Sequence, residues 1–108
     1  MHFFANKFIK PFIRQRAYSR VCEIGASTGE NTAKLLELKN VSLSIIDPGL
    51  DADLAAKHEH DRRVKIHQGI SLDVLPTLTD PFDCILIDGD HNWYTVYHEL
   101  KIIEERGL

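Results

Sequence analysis

The segment Val21-Cys22-Glu23-Ile24-Gly25-Ala26-Ser27-Thr28-Gly29-Glu30-Asn31 constrains the fold more than any other stretch of this 108-residue chain. It opens as a short apolar strand, breaks at two glycines four positions apart and runs directly into a helix. Gly25 and Gly29 lack the Cβ that blocks close approach and disfavours positive φ, so bare main chain can lie against a ligand there. The helix that follows turns unpaired N–H groups toward the same point. A strand, a bare turn and a helix N-terminus in this order predict the first βα unit of an open α/β sheet, with a cofactor loop at the strand's carboxyl end.

The remaining sequence repeats the alternation. Arg20–Ile24 is the first strand, and Glu30–Leu38 continues as a helix with Ala33, Leu35, Leu36 and Leu38 toward the sheet. Val41–Asp47 alternates and then runs apolar, a second strand stopped by Pro48-Gly49. A polar helix over 51–59 leads to a third strand, Val64–His67. Gly69-Ile70-Ser71 turns the chain, with Ser71 as N-cap of a brief helix that ends before Pro76. Phe82–Ile87 is the most apolar strand, closed by Asp88-Gly89-Asp90. From Asn92, the residues Trp93, Val96, Tyr97, Leu100 and Ile103 recur at helical spacing as a buried face, and Gly107 stops the helix.

Strands alternating with helices imply right-handed crossovers and a doubly wound parallel sheet. The predicted class is therefore α/β with a helix in front; if the sheet resembles the Rossmann type, its first four strands are expected in the order 3-2-1-4. Ligands of such sheets bind outside the carboxyl ends of the strands. Gly25–Gly29, Asp47, Gly69–Ser71 and Asp88–His91 all fall there.

The charge is unevenly spread. Residues 1–20 hold Lys7, Lys10, Arg14, Arg16 and Arg20 with no acid, while the rest carries eight bases against all sixteen acids. Residues 1–19 form a basic amphipathic leader, with Phe4, Phe8 and Phe12 four apart and a break or restart at Pro11. It reads as a helix covering the sheet, or as a targeting segment. Residues 20–108 form the binding domain. Beyond the leader the chain lacks the basic face that phosphate contacts need, which argues against nucleic acid as a partner. No apolar run approaches a membrane span and no secretion signal precedes the domain, so the cytoplasm is the expected location. Cys22 and Cys84 sit in apolar strands without a C-x-x-C partner and read as buried thiols.

The loop itself selects among nucleotide cofactors. A dinucleotide site prefers G-x-G-x-x-G, whose second glycine lets backbone meet a pyrophosphate. Here Ser27 stands in that place. Glu23 also enters the loop, and a carboxylate is a poor neighbour for pyrophosphate but a good one for an ammonium or sulfonium group. Asp47 lies 18 residues after Gly29 at the end of the second strand, where one carboxylate accepts from two ribose hydroxyls. A nucleoside sugar, tolerance of positive charge and no diphosphate cradle together match S-adenosylmethionine.

Taken in order, VCEIGASTGENT, IIDP, HQGISLDVLP and FDCILIDGDHNWYTV resemble the successive motifs of class I S-adenosylmethionine-dependent methyltransferases, in particular the small-molecule group whose fourth strand ends in IDGDH. The resemblance covers residues 20–106. It implies that Glu23, Gly25, Ala26, Ser27 and Gly29 hold the methionine end, that Asp47 takes the ribose, and that Gly69, Ile70 and Ser71 flank the adenine. Ile70 stands where relatives more often carry an acid. Asp88 is implied beside the methyl donor, and in metal-dependent relatives the matching position binds a divalent ion such as magnesium. His91 is a candidate general base toward an acceptor hydroxyl, or a solvent-facing residue at a helix start. Asp88 and Asp90 also suit turn and N-cap roles.

The implied activity is methyl transfer to a small-molecule acceptor, through oxygen. The competing expectation is an incomplete nucleoside-binding or partner-binding domain without turnover. Relatives continue through a fifth strand, and Leu108 falls before it. The apolar fourth strand would then be an open edge, to be covered by a missing segment, a partner chain or a second copy in a homodimer.

Overall fold

A computed structural model describes residues 10–25, 30–49, 52–87 and 93–108. In chain order it contains α1 (Lys10–Gln15), β1 (Arg20–Ile24), α2 (Glu30–Leu35), β2 (Ser42–Asp47), α3 (Ala52–His58), β3 (Val64–Gln68), α4 (Ser71–Val74), a 3-10 turn (Leu75–Thr77), β4 (Cys84–Ile87) and α5 (Trp93–Arg106). The four strands form one parallel sheet in the order β3-β2-β1-β4. Both the class and the strand order match the sequence expectation. Residues 1–9 of the leader lie outside the described residues.

Period-two alternation divides the core between the two faces of the sheet. Val21, Leu43 and Ile45 point to one face and pack with Ile13, Leu35, Leu38 and Val41. Cys22, Ile24 and Ile46 point to the other, with Leu75, and Ile85, Ile87, Ile102 and Ile103 pack against them. β1 is an interior strand, paired on both sides and closed on both faces, so it is buried continuously from Val21 to Ile24 rather than at alternate positions.

The amino end of the sheet is tied by one carboxylate. Asp83 Oδ2 accepts from the Ser19 and Arg20 amides at 2.8 and 2.9 Å and from the Ser19 hydroxyl at 3.2 Å, and the Asp83 amide donates to the Arg20 carbonyl at 2.7 Å. These donors hold the Asp83 carboxyl below the usual carboxylate range. Asp83 thereby serves as a clamp just before β4, which begins at Cys84 rather than at Phe82.

Three further details differ from the sequence expectation. α2 ends at Leu35, and 36–40 form turns that still bury Leu38. Ser71 is the first helical residue of α4, not its cap; Ile70 holds the N-cap position without a side-chain bond. α5 is turned about its axis, so Tyr97 and Leu100 are 50% and 53% exposed, while Glu99, Ile102 and Ile103 face inward. Its C-terminus is as expected. Gly107 takes φ 65°, and the Gly107 and Leu108 amides bond back to the Glu104 and Ile103 carbonyls at 3.3 and 3.0 Å.

Candidate functional site

The register brings the sequence-predicted residues of three strands to one rim. Ile24 lies opposite both Ile46 and Ile87, and Asp47 lies opposite Gln68. The ladder continues past β1, because the Gly25 amide donates to the Ile46 carbonyl at 2.8 Å. The Gly69 amide in turn donates to the Asp47 carbonyl at 3.2 Å. Gly25, Asp47 and Gly69 are thus neighbours across the carboxyl edge. Gly25 has φ 90°, a conformation that side-chain-bearing residues rarely adopt, which is the physical need for glycine at the first turn of the loop.

Glu23 is only 1% exposed, and its Oε1 accepts from the Thr32 hydroxyl at 2.5 Å. Glu23 precedes the loop and Thr32 follows it, so this bond ties β1 to α2. A buried carboxylate is costly unless hydrogen-bonded, and the brace supplies one such bond.

Asp47 is largely buried, and its Oδ1 accepts from the Gly49 amide at 2.8 Å. The turn-capping role weighed from sequence is therefore real. A carboxylate offers about four lone-pair sites, more than the one that this amide takes.

At the third strand's end Ile70 is 55% exposed, an apolar side chain standing open beside Gly69. Ser71 is buried, and its hydroxyl donates to the Glu99 carboxylate of α5. The segment that the resemblance assigns to the adenine is therefore anchored to a different helix. Ala26, Ser27, Gly29, Asp88 and His91, with Asp90, lie outside the described residues.

Neither cysteine suits nucleophilic chemistry. Burial, aided by Glu23, pushes the Cys22 thiol up to about 12, and burial raises Cys84 as well; both are free thiols, Cys22 buried as expected and Cys84 only partly so. Among the described residues no group of three His, Cys, Asp or Glu comes together to hold a metal ion, and no described helix is long and apolar enough to cross a membrane. A cavity of about 440 Å³ between α1 and the turns after α2 is lined by Ile13, Tyr18, Leu38 and Val41 among others. Those residues precede β1 and β2, at the opposite end of the sheet from the rim.

Thr32 and Glu99 were missed from sequence. Glu99 had a legible signal, an acid at helical spacing among Val96, Ile102 and Ile103. Thr32 had only its place on the first turn of the helix after the loop.

Comparison with known proteins gives the same fold. No curated protein sequence matches the chain. Among solved structures, the SAH-bound methyltransferase PaMTH1 of Podospora anserina superposes with a TM-score of 0.75 at 23% identity, over 90% of this chain and 44% of that one. The O-methyltransferase TomG of Streptomyces achromogenes, in complex with SAM, gives a TM-score of 0.65 at 28% identity, over 89% of this chain and 49% of that one. A short-chain dehydrogenase/reductase of Veillonella parvula in complex with NADP gives 0.71 at 14% identity, over 84% and 44%. At that identity the likeness is one of fold alone, so the sheet by itself does not choose a cofactor. The chain spans less than half the length of each of these structures. A family model described as a methyltransferase domain matches residues 22–106. Running from the middle of β1 to the last turn of α5, that match takes in the rim and the sheet that carries it, and the chain belongs to the methyltransferase-domain family.

Proposed function

We propose that the chain forms the donor-binding part of an S-adenosylmethionine-dependent methyltransferase that acts on an oxygen of a small-molecule acceptor. The observation that carries this reading is the convergence of Gly25, Asp47 and Gly69 on one sheet edge, hydrogen-bonded strand to strand, above the buried Glu23.

The residues present fit such a donor. Main chain at Gly25, with Ala26, Ser27 and Gly29 after it, leaves room for the methionine portion, and Glu23 supplies negative potential below it. Asp47 accepts from the ribose hydroxyls. Gly69 and the open Ile70 provide an apolar flank for the purine. Asp88 and His91 follow β4 in the sequence, and we assign Asp88 to the methyl-bearing end and His91 to the acceptor's proton. The donor, when bound, contributes an electrophilic methyl on a positively charged sulfur and leaves as a neutral thioether. The chain's contribution to rate is then to hold donor and acceptor in line at attack distance. The described residues offer no set of ligands for magnesium, and no step is assigned to one. A small acceptor and a cytoplasmic setting complete the reading.

A second reading is donor binding without turnover by this chain, favoured by its covering less than half of its solved relatives. Equilibrium dialysis with S-adenosylmethionine and S-adenosylhomocysteine tests what both share. Wild type is expected to bind, and Gly25→Asp and Asp47→Ala to weaken binding by at least about tenfold, the equivalent of one strong contact. No binding by wild type, or equal binding by all three, contradicts both readings. Binding without methyl transfer to any oxygen acceptor leaves the second in place of the first.

A further inference from the structure

The last helix carries an ionisable residue where its packing calls for an apolar one. Glu99 is 2% exposed and belongs to the face of α5 that also presents Ile102 and Ile103 to the sheet. A carboxylate in that setting is costly to bury, and the cost is offset only by hydrogen bonds and well-placed dipoles. One of its oxygens accepts from the hydroxyl of Ser71, itself buried. The pair fastens the first residue of α4 to the middle of α5.

What it fastens matters more than the bond. Ser71 directly follows Ile70, the open apolar side chain of the rim, and Gly69, whose amide is held by the Asp47 carbonyl. The Gly69–Ser71 turn therefore has two anchors, one to β2 and one to α5. A Cβ at Gly69 would meet Val74 Cγ2 at 3.1 Å, so the turn is also packed tightly against α4. Ser71 and Glu99 spend a buried acid on a position far along the chain from the glycine loop. Stability alone would be served as well by two apolar residues of similar volume.

From this geometry we infer that Glu99 is a positioning residue of the donor site: through Ser71 it fixes the Gly69–Ile70 segment as the wall against which the nucleoside base lies. The inference rests on the reading of this rim as a nucleoside site and adds a residue to it. Glu99 makes no contact with the ligand. Loss of the bond lets the turn relax toward β3 or α4, and the wall no longer stands at contact distance from the base, so affinity falls through the base and not through the methionine end.

The test uses Ser71→Ala, Glu99→Ala, Glu99→Gln and the double variant Ser71→Ala/Glu99→Ala, each titrated with S-adenosylhomocysteine and with adenosine, which lacks the amino-acid end. Ser71→Ala and Glu99→Ala are expected to weaken both ligands by a similar factor of about ten, and the double variant by no more than either single one. Glu99→Gln keeps an acceptor for the Ser71 hydroxyl and is expected to stay within about threefold of wild type. Should Glu99→Ala fail to fold, Ser71→Ala, which removes a single oxygen, decides the matter with Glu99→Gln. A purely structural pair would lower the melting temperature of the single variants while leaving the affinities of the folded protein within twofold of wild type, and that result overturns the inference. So does a loss confined to S-adenosylhomocysteine with adenosine unchanged. Wild type that binds neither ligand overturns the nucleoside reading itself, and this inference with it.

Discussion

Gly25 and Ala17 make opposite points about positive φ. At Gly25 the backbone takes φ 90°, and the sequence supplies the residue that tolerates it. At Ala17 the backbone takes φ 53° to end α1, with the Ala17 and Tyr18 amides returning to the Arg14 and Ile13 carbonyls at 3.2 Å each. This is the same helix-ending pattern that Gly107 makes for α5, built without glycine. An L-residue there costs about 1–2 kcal/mol, part of which glycine would return in unfolded-state entropy. Ala17→Gly is therefore expected to raise unfolding stability by about 0.5–1 kcal/mol in a urea titration, with no effect on ligand affinity because the turn lies at the far end of the sheet. Nothing in the sequence marks Ala17 as strained, since alanine favours helices. Gly25 was legible because glycine after an apolar strand and before a helix has few other uses. Glu23 was legible as a loop acid but not as a braced one, because its partner Thr32 is nine residues on and carries no motif.

At the scale of elements, three of the four strands were read to within a residue, whereas α2 ends three residues early and α5 turns a different face to the core. β1 matches its expected span, and β2 and β3 match within one residue, because a parallel strand between glycine-rich turns has little freedom in length. α5 shows where periodicity misleads. The spacing of Trp93, Val96, Tyr97, Leu100 and Ile103 fits one apolar stripe, yet the helix turns Glu99 and Ile102 inward instead, since Glu99 reaches Ser71 and Ile102 packs against the cluster of Cys22, Ile24, Ile46 and Leu75. Hydropathy alone ranks Leu100 above Glu99 for burial, and a side-chain hydrogen bond to an element 28 residues earlier reverses that order. Alanine substitutions separate the two faces. Leu100→Ala is expected within about 0.5 kcal/mol of wild type, whereas Ile103→Ala should lose about 1–2 kcal/mol, less than a fully buried isoleucine because Ile103 is partly exposed. Equal losses at the two positions would restore the sequence-derived stripe.

For the molecule as a whole, titration links fold and solvent. Burial, with Lys57 nearby, lowers the pKa of His58, whose Nε2 is buried without a hydrogen-bond partner; burial lowers His67 too. Both histidines bind protons less readily in the folded chain than in the unfolded one, so the stability this gives is present above the ordinary histidine range and is lost as pH falls through it. Stability measured by denaturant titration is expected to decline between about pH 7 and pH 5, and His58→Leu to flatten that decline; a profile unchanged by His58→Leu would place the effect elsewhere. The strand order followed from the resemblance, and the fold class and the meeting of Gly25, Asp47 and Gly69 at one edge were legible from one chain, because βα alternation and glycine placement are local. The brace from Thr32 to Glu23 and the anchor from Glu99 to Ser71 were not, because they depend on which faces meet after the sheet has formed. The claim on which the functional reading rests is that the carboxyl rim seats an adenosyl donor. Determining the structure of the chain with S-adenosylhomocysteine tests it most directly: the expected result is a ligand lying over Gly25 with its ribose on Asp47 and its base against Ile70, and a ligand bound on any other surface, or a rim left empty at saturating concentration, would contradict it.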